Sequence, residues 1–233
     1  MERGCSHVDT SVLAAAIDQT LLKPTAGFAE ASGWMDATKD AGFASLCISP
    51  FLVPLAAQKL AGTRTLVCSV CGFPLGYANT EAKAEEAAVL VALGCAEVDM
   101  VMNIAAFLEG EVSYVEDDIR AVVDATADAS GGDALVKVIL ETGYLTEAEI
   151  DTASRIAVAA GAGFVKTSTG FGPRGASVRD VRIMREAVGP DIGVKAAGGI
   201  RDLETALEML DAGASRLGSS SGLEILEALE HRG

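Results

Sequence analysis

Eight short β-type runs alternate with longer helical patterns along the chain: Ala16–Asp18, Ala44–Ser49, Thr65–Cys71, Glu97–Asn103, Leu135–Glu141, Gly163–Thr167, Ile192–Ala196 and Ala214–Gly218. Their starts lie roughly 20 to 40 residues apart, room for one strand, one helix and two short loops, so each interval reads as one βα unit. Strands joined through helices run parallel and are covered on both faces, which explains runs that are apolar nearly throughout instead of alternating. Eight units in succession with no reversal of pattern predict a closed (β/α)8 barrel rather than an open, doubly wound sheet. The 233 residues suit that fold, whose usual size is roughly 250. No linker, low-complexity segment or basic run marks a second unit, so residues 1–233 are expected to form one barrel domain. Val8–Ala15 is expected to add a helix across the bottom of the barrel. In Thr146-Glu-Ala-Glu149 and Ser177-Val-Arg-Asp180 a hydroxyl precedes a carboxylate by three residues, the spacing at which the two can cap a helix start reciprocally.

Polar residues inside such strands are the informative exceptions. Lys166 lies in Phe164-Val-Lys-Thr-Ser-Thr-Gly170 and Lys195 in Ile192-Gly-Val-Lys-Ala-Ala-Gly-Gly-Ile200, with Lys137 in Leu135-Val-Lys-Val-Ile-Leu-Glu141 and Asp99 in Glu97-Val-Asp-Met-Val-Met-Asn103. A buried ammonium costs desolvation, and a second one nearby adds repulsion, so the pair pushes one amine toward its neutral form. A neutral amine attacks carbonyls, which points to imine chemistry. Alternation along the strands places Glu97, Asp99, Val101 and Asn103 on one face and Lys137, Ile139 and Glu141 on another, both expected to point inward. A barrel gathers the carboxyl ends of its strands at one site, bringing Asp99, Lys137, Lys166 and Lys195 together. Three lysines against one or two acids leave excess positive charge, more than structural ion pairing requires and of use to an aldehyde that carries a phosphate.

Glycines cluster after the last strands, at Gly170, at Gly198-Gly199 and in Gly218-Ser-Ser-Ser-Gly222. Glycine lets backbone N–H groups approach an anion, and a helix opening at Ser220 or Ser221 aims its dipole there, so this quadrant is the expected phosphate site. Arg174 is read as a solvated loop charge. Cys68-Ser-Val-Cys71 has redox or zinc spacing, but residues three apart on a strand face opposite ways and no second cysteine pair lies near, so both are expected in the core and no metal site is expected. His7 and His231 sit near the termini, away from any relay. The net charge of −15 argues against nucleic-acid and anionic-membrane partners. The odd set Cys5, Cys47, Cys68, Cys71 and Cys95, scattered through apolar stretches, implies a reducing compartment, and with no signal-like start or long apolar span the expected location is the cytoplasm.

With these residues in view the chain resembles the deoxyribose-phosphate aldolase family over nearly its whole length. The stretches that carry the resemblance are Ile17-Asp-Gln-Thr-Leu-Leu-Lys-Pro24, Leu46-Cys-Ile-Ser-Pro50, Gly72-Phe-Pro-Leu-Gly76, Glu97–Asn103, Lys137–Gly143, Phe164–Gly170, Val194–Arg201 and Arg216–Gly222. The resemblance implies a class I aldolase that needs no cofactor and reversibly cleaves 2-deoxy-D-ribose 5-phosphate to acetaldehyde and D-glyceraldehyde 3-phosphate. It implies Lys166 as the Schiff-base lysine, with Lys195 lowering its pKa and Asp99 in the proton relay. It further implies Gly170, Gly198, Gly199, Ser220 and Ser221 around the phosphate, Asp18, Cys47, Lys137 and Thr169 along the pocket, and a homodimer or homotetramer. The chain departs from the family pattern at Gln19, where many relatives have His, at Ile104-Ala105, where Ile-Gly is commoner, and at Pro173-Arg174, where small residues are frequent. Another Schiff-base barrel would differ in not using acetaldehyde as donor, and a catalytically silent barrel would bind sugar phosphate without forming an adduct.

Overall fold

A computed structural model describes residues 9–232. The strands are β1 (Ile17–Leu21), β2 (Ser45–Ile48), β3 (Leu66–Cys71), β4 (Glu97–Val101), β5 (Leu135–Ile139), β6 (Phe164–Lys166), β7 (Gly193–Ala197) and β8 (Arg216–Ser219). Each pairs in parallel with the next, and β1 pairs with β8, closing the barrel in sequence order. The helices are α1 (Thr10–Ala14), α2 (Phe28–Thr38), α3 (Val53–Leu60), α4 (Thr80–Ala92), α5 (Ile104–Leu108), α6 (Val112–Ser130), α7 (Glu147–Ala159), α8 (Val178–Val188), α9 (Leu203–Asp211) and α10 (Gly222–Glu230). Among the described residues no helix is long and apolar enough to cross a membrane.

Strand alternation sorts the side chains into two layers. Leu46, Ile48, Val98, Met100, Val136, Val138, Val165, Val194 and Leu217 face outward and join the helices in one large core. The intervening residues face the barrel axis, where Cys47, Cys68 and Val70 form a small separate cluster. Cys68 and Cys71 therefore point to opposite faces, the former toward Asp99 and the latter toward the Lys83 carbonyl. The expected extra helix is α1, capped by Asp9 and packed on α10, with Leu13 and Ala14 buried; Val8, at the edge of that expectation, lies outside the described residues, as do Cys5 and His7.

All eight strands differ from the sequence expectation at one or both ends, three of them for identifiable reasons. The first strand runs to Leu21 instead of Asp18, because Asp18 is matched by charged partners inside the barrel and so does not end the run. The fourth ends at Val101, and Asn103 leaves the inward face to cap α5 by accepting from the Ala106 N–H at 3.1 Å. The fifth ends at Ile139, and Glu141 departs from strand geometry with φ of +54°. Thr146 and Glu149 form the reciprocal cap. Ser177 caps α8 alone, because the Asp180 carboxylate turns instead to Thr142 and Arg174.

Outside the barrel, α4 and α6 share a fully buried ion pair. Lys83 Nζ lies 2.8 Å from Asp118 and donates to the Val101 carbonyl at 3.1 Å, while the Thr80 hydroxyl satisfies the other Asp118 oxygen. The pair ties both helices to the carboxyl end of β4.

Candidate active site

Seven charged side chains converge inside the barrel from six strands: Asp18 of β1, Glu97 and Asp99 of β4, Lys137 of β5, Lys166 of β6, Lys195 of β7 and Arg216 of β8. The register pairs Asp99 with Lys137 and Lys166 with Lys195, the second pair one inward-facing position nearer the carboxyl ends, since Lys166 lies opposite Ile139. Asp99 is the hub. Its Oδ2 lies 2.7 Å from both Lys166 Nζ and Lys195 Nζ, and its Oδ1 lies 2.9 Å from Lys137 Nζ. Asp18 lies 2.5 Å from Lys195 and 2.6 Å from Arg216, and Glu97 lies 2.6 Å from Lys137 and 3.0 Å from Arg216.

Burial alone would push the Asp99 carboxyl up, but the three ammonium groups outweigh it and hold the group well below the usual carboxylate range. Asp18 is lowered in the same way by Lys195, Lys137 and Arg216. Burial opposes charge on Lys195 and Lys137 as well, yet Asp18 and Asp99 raise Lys195, and Asp99 leads the acids that raise Lys137. Both ammonium groups thus stay charged at neutral pH. The expected surplus of lysine over acid is smaller than the sequence implied, because Asp18 and Glu97 join Asp99. It does not vanish, because Arg216 joins the lysines with its guanidinium 5.3 Å from the Phe164 ring centre. Burial raises the Cys68 thiol, whereas its hydrogen bond to Cys47 lowers the latter. These two thiols and the Asp99 carboxylate lie within 4.8 Å of one another, but ammonium groups already fill the places beside Asp99.

Above the network, at the carboxyl ends of the strands, lies a cavity lined by Lys166, Thr169, Gly170, Gly198, Gly199, Arg201 and Ser220 among others. Gly170, Gly198 and Gly199 have φ of +88°, +90° and +84°, conformations that glycine adopts without penalty and that leave backbone N–H groups free to meet an anion. Of the residues expected at the site, Asp18, Cys47, Lys137 and Lys195 are wholly buried, forming the floor rather than the lining. Ser221 does not line the cavity; its N–H donates to Ser219 Oγ at 3.0 Å, and the next N–H, of Gly222, donates to Gln19. Arg201 is a cation of the lining that the sequence reading passed over, although it stands directly after the Gly198-Gly199-Ile200 turn. Arg174, read as a solvated loop charge, is exposed, and it also pairs with Asp180 and donates to the Thr142 carbonyl at 2.9 Å.

A buried, mutually compensated lysine cluster beneath an anion-ready pocket can form an imine on a phosphorylated carbonyl compound. Comparisons with known proteins agree. The chain is 51% identical over 220 residues to "Deoxyribose-phosphate aldolase 1" of Bacillus licheniformis, covering 94% of this chain and 97% of that protein. It is 51% identical over 215 residues to the deoxyribose-phosphate aldolase of Bacillus subtilis, covering 92% and 95%. Among solved structures it superposes on "QR15, an Aldolase" with a TM-score of 0.88 at 40% identity, covering 94% and 96%, and on the tetrameric deoxyribose phosphate aldolase of Aeropyrum pernix with 0.87 at 31%, covering 97% and 94%. The family model described as DeoC/LacD family aldolase matches residues 12–228, and the chain belongs to that family.

Proposed function

We propose that this chain is a class I aldolase that reversibly cleaves 2-deoxy-D-ribose 5-phosphate to acetaldehyde and D-glyceraldehyde 3-phosphate, working as one barrel domain of a homo-oligomer. Lys166 is the nucleophile. One observation carries that assignment: of the three lysines gathered on Asp99, only Lys166 lines the cavity, while Lys137 and Lys195 are sealed beneath it. The half-identical deoxyribose-phosphate aldolases support the substrate.

In cleavage the Lys166 amine adds to the C1 aldehyde of the open-chain sugar, and loss of water gives a protonated imine. The C3 hydroxyl passes its proton to the Asp99–Lys195 relay, the C2–C3 bond breaks, and its electron pair flows into the iminium to form an enamine. C3 becomes the aldehyde of glyceraldehyde 3-phosphate. Asp99 and Lys195 relay a proton to the enamine carbon, and hydrolysis then releases acetaldehyde and restores the amine. The iminium is the electron sink, the task a metal ion performs elsewhere. The phosphate rests on Gly170, Gly198, Gly199 and Ser220, with Arg201 adding charge. Lys166→Ala should lower deoxyribose 5-phosphate cleavage by roughly four orders of magnitude with the barrel still folded by circular dichroism; substantial remaining cleavage would contradict the assignment.

A further inference from the structure

Glu141, just past the end of β5, belongs to no part of the lysine network. Its side chain is buried, 1% of the residue being exposed, its backbone is left-handed, and its Oε1 has no hydrogen-bond partner among the described residues. Gly172 packs on it so closely that a Cβ there would lie 2.6 Å from the Glu141 carboxyl carbon. The other oxygen, Oε2, accepts the Thr169 backbone N–H at 3.2 Å and meets the Thr169 hydroxyl at 2.5 Å. A loop brace alone would not need a buried carboxyl group with one unpartnered oxygen on a strained backbone.

The polarity of these bonds decides what Thr169 can do. A hydroxyl has one proton and two lone pairs. The proton of Thr169 Oγ1 goes to Glu141, and one lone pair accepts the Phe171 N–H at 3.0 Å. One lone pair remains, and Thr169 lines the cavity that holds Lys166. We propose that Glu141 is a specificity-determining residue, fixing Thr169 as an acceptor-only subsite that takes a substrate hydroxyl and turns away carbonyl and phosphate oxygens. The inference rests on the aldolase reading above. There the C3 hydroxyl must surrender its proton, so the C4 hydroxyl, which is the 2-hydroxyl of the glyceraldehyde 3-phosphate product, is the one that donates to Thr169. The pocket is then directional, with a hydroxyl acceptor at Thr169 directly beside the anion-binding N–H groups that begin at Gly170.

The test compares kcat/KM for addition of acetaldehyde to D-glyceraldehyde 3-phosphate and to 3-oxopropyl phosphate, which lacks the 2-hydroxyl. The wild-type protein should favour the hydroxylated acceptor. Glu141→Gly, which adopts the left-handed backbone freely, and Thr169→Val should each lower that preference by about tenfold or more. Glu141→Gln should keep it within about threefold, because the amide oxygen still accepts from Thr169. No preference in the wild type, an unchanged preference in Glu141→Gly that is folded by thermal denaturation, or a loss in Glu141→Gln as complete as in Glu141→Gly would overturn the proposal. Failure of the aldolase reading is distinguishable: the wild type would then join acetaldehyde to neither acceptor.

Discussion

Under the proposed function Lys195, a residue that never touches solvent, controls the lysine that meets the substrate. Its ammonium sits 2.7 Å from the oxygen that also holds Lys166, and because Asp18 and Asp99 raise it above the ordinary lysine range, it remains a cation at every pH below that range. A fixed positive charge there also helps hold the carboxylate of Asp99, which in turn holds Lys166. Lys195→Leu keeps the bulk and removes that charge, so under the proposed mechanism kcat should fall by roughly a hundredfold. An unchanged kcat would separate the two lysines functionally. Lys166, Lys195 and Asp99 were legible in the sequence because a charge in a strand covered on both faces has no ordinary explanation. Arg216 and Glu97 were not legible as partners: they stand 119 positions apart, and only closure of β8 onto β1 brings them to the same interior. Glu141 was placed on the inward face by strict alternation, but its left-handed backbone moves it out of that series and toward Thr169.

At the scale of elements, strand positions were readable because parallel strands between helices carry nearly continuous apolar runs. The first strand was the poorest, since Asp18, Gln19 and Thr20 make it look like a loop until the ion partners are known. The Lys83–Asp118 pair had no sequence signal, because on α4 and α6 a charged residue is the expected surface residue. Both side chains are nevertheless fully buried, and breaking such a pair leaves an uncompensated charge. Lys83→Met alone should cost about 3–5 kcal/mol, whereas Lys83→Met with Asp118→Leu should return most of it, because an apolar pair escapes the desolvation cost of two ions. Denaturant midpoints of the two variants check this. Equal loss in both would mean that the link from Lys83 to the Val101 carbonyl, rather than charge compensation, holds these helices in place.

For the whole molecule, a chain with net charge −15 concentrates positive charge around one cavity, where the proposed function places the substrate's phosphate. Lys166 and Arg201 line the cavity, Lys137, Lys195 and Arg216 lie below it, and the acids among them are already paired. Short-range pairing in such a cleft outweighs a screened surface charge, so overall acidity and an anionic substrate are compatible. The fold class was legible in the count of βα units, whereas the depth of each lysine below the cavity, on which the proposed division between a reacting Lys166 and a tuning Lys195 rests, is seen only in the structure. The most direct test of that division is borohydride reduction of the wild-type protein with acetaldehyde, followed by peptide mass mapping. An N-ethyl group on Lys166, with Lys137 and Lys195 unmodified, is the predicted result; an adduct on either of those two instead, or none while deoxyribose 5-phosphate is still cleaved, would contradict the account.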